Sequence, residues 1–215
     1  MGLIKQGILG GFRKKTGTVV GAYWRKLDTI RALPRSSGKA PTQPQLNQQF
    51  KFKLVTEFLS NMSPLIDVGF KAADGTLTAM NLAVAYHLRE AITGTEPVFE
   101  LDLSKVKFSE GRLDVPIDFT ATAVAPALVN FNWSHTETDD KYVDATDILS
   151  VMAYNATKKK FVRASMIAER SAKSFSFTLP ANYVGDEVHL YAAFTSARRK
   201  LMNSDTIYPG PITVV

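Results

Sequence analysis

The chain has 215 residues, 45% of them hydrophobic, which is enough apolar material for a packed core and excludes an intrinsically disordered protein. It has no cysteine, so disulfides, thiolate metal sites and a thiol nucleophile are excluded. The net charge of +6 is localised: residues 1–56 hold eleven Lys or Arg and one acid, a balance of +10, whereas the remainder holds 15 basic and 19 acidic residues, a balance of −4.

The N-terminal sequence MGLIKQGILGGFRKK contains only a short apolar stretch, which is broken by glycines and followed by charge. It lacks the small-residue cleavage site of a secretory signal peptide. No run of about 18 apolar residues occurs, so no membrane-spanning helix is expected. These features predict a cytoplasmic protein, or one incorporated into a particle assembled there.

Residues 1–41 are predicted to form a basic, glycine-rich arm. Its segment TGTVVGAYW, residues 16–24, is β-branched and aromatic, which favours a short strand or ribbon. Such an arm could neutralise nucleic-acid phosphates, lie on an anionic membrane, or dock on acidic surfaces of neighbouring subunits, although its glycines disfavour an amphipathic membrane helix. The candidate assembly or phosphate contacts are Arg13, Lys14, Lys15, Tyr23, Trp24, Arg25, Lys26, Arg31 and Arg35.

A helical connector is predicted over residues 42–96. Thr42 is a suitable N-cap, with Pro44 in the first turn of the helix. The predicted apolar face has four-residue spacing and is widened by further apolar residues: Leu46, Phe50, Leu54 and Phe58, then Val55, Leu59 and Met62.

Two further helical segments are predicted in the connector. Ser63 and Pro64 restart a short segment that continues to Phe70. The sequence TAMNLAVAYHLREAI predicts a helix from about Thr78 to Ile92, ending at Gly94. These helices are expected to connect the arm to the body or to form a lid on it.

Residues 97–215 are predicted to form a β-sandwich domain. About seven short strands separated by turn residues follow one another from Val98 onward, and no helical period lies between them. This pattern predicts an antiparallel sandwich of immunoglobulin or fibronectin type III character. Because the chain has no disulfides, the fibronectin-like variant fits better.

The motifs GILGGF, KTGTVVGAYWR, IRALPR, PTQPQLNQQFKFKLVTEFLS and AYHLREAITG, with the closing LYAAFTSARRKLMNSDTIYPGPITV, extend over essentially the full length. In this combination the chain resembles an uncharacterised domain-of-unknown-function family found mainly in Bacteroidota and their mobile elements. The resemblance implies a β-rich C-terminal domain behind a basic arm, and it implies no activity. This chain has ARRKL where the family usually has a turn such as Asp-Gly-Lys, so contacts made by that loop are expected to differ.

The sequence offers no constellation for catalysis or metal binding. His87, His135 and His189 do not form an HxH or HExxH spacing, and no nucleophile, base and orienting acid can be assembled from spacing. We therefore expect no enzymatic activity, no cofactor, no metal and no small-molecule substrate.

The segment ETDDKYVDATD is a strongly acidic stretch of the body. It lacks the residue order of an EF-hand loop. One interpretation is a solvated loop between strands. A more specific interpretation is that this loop is a docking site for the basic arm of a neighbouring subunit. The residues of this possible docking loop are Glu137, Asp139, Asp140, Asp144 and Asp147.

Two function hypotheses follow from these patterns. In the first, the protein is a non-enzymatic structural subunit of a phage-like virion or another large homo-oligomer, in which each arm docks on a neighbour. In the second, the basic arm is a nucleic-acid-binding module whose cations contact phosphates while Tyr23 or Trp24 stacks on a base.

Overall fold

The computed structural model describes residues 2–3, 11–24, 27–35, 38–70, 77–135, 141–199 and 202–215, the first two by their backbone. It divides the chain into two compact units, Met1–Thr42 and Gln43–Val215. We call the first the N-terminal unit and the second the body. The residues predicted as helical connector and as sandwich domain both belong to the body.

The N-terminal unit contains an antiparallel four-stranded sheet. The strand expected within residues 16–24 is confirmed, and it follows a two-residue hairpin turn at Gly17 and Thr18. Gly17 has a φ of +59°, which is the first-position conformation that glycine favours in such turns. The sheet has the spatial order β1-β4-β3-β2, with strands β1 Gly2–Leu3, β2 Lys14–Thr16, β3 Val19–Trp24 and β4 Leu27–Ala32.

The helices of the body are α1 Gln43–Ser60, α2 Ser63–Gly69 and α3 Ala79–Glu90. The hydroxyl of Thr78 caps α3 by accepting from the Asn81 amide at 3.2 Å. The expected continuation of α3 to Ile92 is wrong. The β-branched segment Ile92–Thr95 instead forms β5, which pairs with β6, Val98–Leu101, in a hairpin.

The predicted β-sandwich is confirmed, and its described residues form seven antiparallel strands in two sheets of orders β11-β8-β7 and β10-β9-β12-β13. Along the chain, the second sandwich strand pairs with the fifth and the third pairs with the sixth, as in immunoglobulin and fibronectin type III domains. The strands are β7 Thr120–Val124, β8 Leu128–Asn132, β9 Ile148–Asn155, β10 Lys160–Glu169, β11 Ser174–Thr178, β12 Glu187–Thr195 and β13 Ile207–Thr213.

The central strands β9 and β12 are buried on both faces. Alternate residues such as Val151 and Leu190 enter the core between the two sheets. Their neighbours Met152 and Tyr191 enter a second core, which α1, α2 and α3 cover. The helices therefore form a third layer of the body, packed on the four-stranded sheet.

The buried face of α1 differs from the expected one. Val55 and Leu59 are fully buried, as is Met62 beyond the end of the helix. Phe50, which belongs to the predicted apolar face, is 56% exposed. The stripe that was expected only to widen the face is the one that packs into the core, because α1 faces α3 and the sheet through it.

His87 is a fully buried side chain of α3, and both of its ring nitrogens meet backbone groups. Nδ1 lies 2.7 Å from the carbonyl oxygen of Ala83, and the amide of Lys107 lies 3.2 Å from Nε2. Nε2 therefore accepts a hydrogen bond and Nδ1–H donates one, which requires the neutral ring. Burial lowers the pKa of His87 below its ordinary value of 6.5.

We expect the body to lose stability in mild acid because of His87. In the unfolded chain His87 takes up a proton near its ordinary pKa of about 6.5, whereas in the folded chain it stays neutral to lower pH. The contribution of the neutral ring to the free energy of unfolding is therefore present above about pH 6.5 and is lost below it. The free energy of unfolding should fall by at most about 1.4 kcal/mol per pH unit as the pH decreases from about 6.5 to about 5. Urea unfolding of the wild type and of His87→Gln over this range measures the slope.

His189→Gln is the matched control for this experiment. Burial also lowers the pKa of His189, but the side chain is less enclosed and Glu187 acts against the shift. Its removal should reduce the pH slope less than removal of His87. An unchanged slope in His87→Gln would contradict the assignment of a neutral, doubly bonded imidazole.

Candidate interaction surface on the N-terminal sheet

Strand pairing assigns the side chains of the N-terminal sheet to two faces, because directly opposed residues project on the same side. Trp24 lies opposite Leu27, and Val20 lies opposite both Arg31 and Lys15. We call the side that carries these residues the Trp24 face. Its members are Lys15, Val20, Ala22, Trp24, Leu27, Thr29 and Arg31.

The Trp24 face combines two exposed apolar side chains with two exposed cations. The side chain of Trp24 is 53% exposed and that of Leu27 is 46% exposed. Lys15 and Arg31, which flank the half-buried Val20, are also exposed. Protein interfaces are enriched in large aromatic residues and in Arg, and this face exposes one of each, Trp24 and Arg31.

The opposite side, which we call the Tyr23 face, is locally closed by the segment before β2. The guanidinium of Arg13 lies 4.7 Å from the ring centroid of Tyr23, in a cation–π contact. Phe12 packs on the backbone of Gly21, where a side chain would collide with the Phe12 carbonyl and ring. Phe12, Arg13, Gly21 and Tyr23 therefore make one contiguous contact on this face.

The N-terminal unit has little interior of its own. Among its described residues, those that are buried are Gly21 and Thr29. The hydroxyl of Thr29 donates to the carbonyl of Ala22 at 2.9 Å, so even this buried side chain is polar and bonded to the sheet. A sheet gains independent stability by packing one face against a second apolar layer. The described part of this unit supplies no such layer.

We expect Gly21→Val to open the N-terminal segment from the sheet. The new side chain meets backbone of Phe12, and a change of rotamer cannot relieve that collision. Overpacking of this kind costs about 1–3 kcal/mol, so tryptic cleavage after Arg13 should become about tenfold faster. Ala22→Val, at an exposed position on the Trp24 face, is the control and should leave the rate unchanged. Equal rates in the two variants would contradict the packing of Phe12 on Gly21.

The remaining candidate cations of the arm are exposed where the structure describes them. Lys14 and Arg35 are both exposed, and Lys14 adopts a φ of +75° at the start of β2. Arg25 and Lys26 lie outside the described residues. The described cations are thus spread over β2, β4 and the segments beside them rather than gathered into one pocket.

The acidic docking loop requires a correction at its two described residues. Asp147 is fully buried, and its Oδ2 lies 3.2 Å from Nε of Arg170. Asp144 is nearly buried and pairs with Arg198 at 3.0 Å. Both carboxylates meet cations of the body itself, so they do not offer a free acidic surface. Glu137, Asp139 and Asp140 lie outside the described residues.

A groove that the sequence reasoning missed lies between α1 and the β5–β6 hairpin. It has a volume of about 330 Å³. Phe50 on one wall and Val98 on the other are 56% and 62% exposed. The signal in the sequence is the four-residue spacing of Phe50 and Leu54 in the predicted apolar face of α1. The lining residues are Phe50, Lys53, Leu54, Glu57, Pro97, Val98 and Phe99.

The described residues contain no cluster of His, Asp or Glu that could hold a metal ion. Within the same part of the chain, no helix is long and apolar enough to span a membrane.

A search of curated proteins found no match to the chain. A family model matches residues 11–210, which include nearly all of the described N-terminal sheet and most of the body. The chain belongs to this family, which is described as a family of unknown function, DUF6266.

Proposed function

We propose that this chain is a non-enzymatic structural protein that assembles with further copies of itself through the Trp24 face. The observation that carries the proposal is the exposure of Trp24 and Leu27 on a sheet whose described part has almost no buried interior. Covering this face with another protein surface would supply the second apolar layer that the described residues of the unit do not provide. The body, by contrast, has two extensive cores of its own.

The aliphatic part of the Trp24 face favours a protein partner. Leu27 and, beyond the end of β4, Leu33 are exposed, and neither side chain can stack on a base or bind a phosphate. Burial of such side chains yields about 25 cal/mol per Å² when an apolar partner surface removes them from water. A contact between two different surfaces of identical subunits closes into rings or shells, or propagates as filaments, so a large homo-oligomer such as a virion-like particle is the expected product.

Nucleic-acid binding is the second candidate function. It is supported by the exposed cations Lys14, Lys15, Arg31 and Arg35 and by the exposed aromatic rings beside them. Binding of this kind depends steeply on salt, because each neutralised phosphate releases counterions. Assembly through apolar contacts depends much less on salt.

The test is light scattering on a size-exclusion column with absorbance at 260 and 280 nm, applied to the full chain after nuclease treatment, repurification and addition of a single-stranded oligonucleotide, at about 50 mM and 200 mM salt. We expect an oligomer free of nucleic acid at both salt concentrations. A monomer that carries nucleic acid at low salt and releases it at high salt would instead establish the second function. A monomer without nucleic acid under both conditions would contradict both proposals.

A further inference from the structure

Helix α1 carries two apolar stripes, and the body covers one fully and the other only in part: Phe58 packs against the core, whereas Phe50 is 56% exposed. Val55 and Leu59 pack into the core below the helix. Phe50 and Leu54 lie on the neighbouring stripe and form one wall of the groove against the β5–β6 hairpin. A helix on the surface of a domain needs one apolar stripe. A second exposed apolar strip marks a surface that another molecule covers.

The groove is lined by five apolar residues together with Lys53 and Glu57, and further carboxylates lie beside it. Glu57 lines it from α1. Glu100 follows Val98 on the exposed face of β6, and Glu96, in the hairpin turn, accepts a hydrogen bond from Asn47 at 2.8 Å. Two lysines also lie here: Lys53 lines the groove, and Lys51 lies over the ring of Phe99, 4.6 Å from its centroid. The groove and its borders therefore carry three carboxylates against two lysines, a small excess of negative charge for an incoming cation.

The Trp24 face carries side chains of a size and charge suited to this groove and its border carboxylates. The groove volume of about 330 Å³ is at the lower end of ligand pockets and fits one large aromatic anchor rather than an extended segment. The cations Lys15 and Arg31 lie on the same face as Trp24, whereas Asp28 pairs with Tyr23 on the opposite face. The Trp24 face thus presents an aromatic and two cations without a carboxylate among its paired residues.

We propose that the groove between α1 and the β5–β6 hairpin is the acceptor for the Trp24 face of a second copy of this chain. This inference rests on the proposed assembly function and names the surface that receives the sheet. Trp24 enters between Phe50 and Val98, and Leu27 covers the exposed side of Val98. Lys15 and Arg31 approach the carboxylates of Glu57 and Glu100.

Every copy carries one donor face and one acceptor groove, so the contact is heterologous. A copy with a defective donor can still receive a partner, and a copy with a defective acceptor can still donate. One copy of each kind therefore forms a single contact with the other, and the resulting pair cannot bind a further copy. This behaviour separates the proposal from an isologous contact, in which two Trp24 faces pair with each other.

The test mixes full-length Trp24→Ser with full-length Val98→Ser and follows mass by light scattering. Each variant alone is expected to be monomeric, and the mixture is expected to form a one-to-one complex. Two monomeric variants that form no complex would overturn the acceptor assignment. An oligomer that persists in Val98→Ser would overturn the assignment while leaving assembly intact. A monomeric wild type would instead refute the proposed function itself.

Cysteine cross-linking provides a second readout that does not depend on weakening the contact. Because the chain has no cysteine, Leu27→Cys in one copy and Val98→Cys in a second, size-tagged copy introduce one thiol each. Oxidation should link the tagged and untagged copies. Val184→Cys, a comparably exposed valine that does not line the groove, is the matched control. Equal cross-linking to the two positions would overturn the proposal.

Discussion

Replacing Asp147 by alanine is expected to destabilise the body by about 3–5 kcal/mol, the cost of removing one partner of a buried ion pair. Arg170 is 2% exposed, and its Nε lies 3.2 Å from Oδ2 of Asp147. The variant leaves this guanidinium in a poorly solvated site without its counter-charge. It also removes the acceptor of the Asp144 amide, which donates to Asp147 Oδ2 at 3.0 Å.

The loss of unfolding free energy should be large because Arg170 also contacts several neighbouring groups. Its Nη2 donates to the carbonyl of Asp114 at 2.6 Å. Its own carbonyl accepts from Nε1 of Trp133 at 2.7 Å, and its guanidinium lies 4.4 Å from the ring centroid of Phe194. Movement of the unpaired guanidinium toward water would disturb these contacts with both sheets of the sandwich.

Urea unfolding of the full chain measures this cost, and two variants serve as controls. Asp118→Ala removes an exposed carboxylate that bonds Ser134, and it should cost about 1 kcal/mol or less. The double variant Asp147→Leu and Arg170→Met removes both charges and should be far less destabilised than Asp147→Ala, because apolar replacement of a buried pair is often neutral. A cost below about 1 kcal/mol for Asp147→Ala would contradict the buried-pair interpretation.

The sandwich could be predicted because each strand shows a local pattern of alternation and turn residues. Which side of α1 is buried could not be predicted in the same way. Both Phe50 with Leu54 and Val55 with Leu59 satisfy the helical period, and only packing against α3 and the sheet selects the second pair. The extra stripe was nevertheless informative, because it forms the wall of the groove.

For the candidate surface, too, the residue types could be predicted from the sequence but their spatial arrangement could not. Sequence composition identified Trp24 and the surrounding cations, but strand register is needed to place Trp24 with Leu27 and Lys15 with Arg31. The acidic run 137–147 was interpreted from composition as an exposed loop. Asp147 is instead buried because its counter-charge, Arg170, arrives from the end of β10, which local sequence cannot reveal.

Truncation of Trp24 to alanine in the full chain should weaken self-association by at least about 30-fold, which corresponds to about 2 kcal/mol, the threshold of an interface hot spot. The indole is the largest exposed side chain on its face, and its partner across the strand pair, Leu27, is too small to replace it. Because the indole is 53% exposed, its truncation should cost less unfolding free energy than truncation of a core aromatic, about 1 kcal/mol or less. Analytical ultracentrifugation over a dilution series gives the association constant.

Tyr23→Ala is the matched control, because Tyr23 is the neighbouring aromatic, is similarly exposed and points to the opposite face. Its ring already lies beneath Arg13 within its own sheet, so truncation should change association less than about fivefold, or about 1 kcal/mol. Equal losses in both variants would mean that assembly needs only an intact sheet or general hydrophobicity. A loss confined to Trp24→Ala would require a partner that contacts one face, and the cations of that face would then confer orientation rather than most of the affinity.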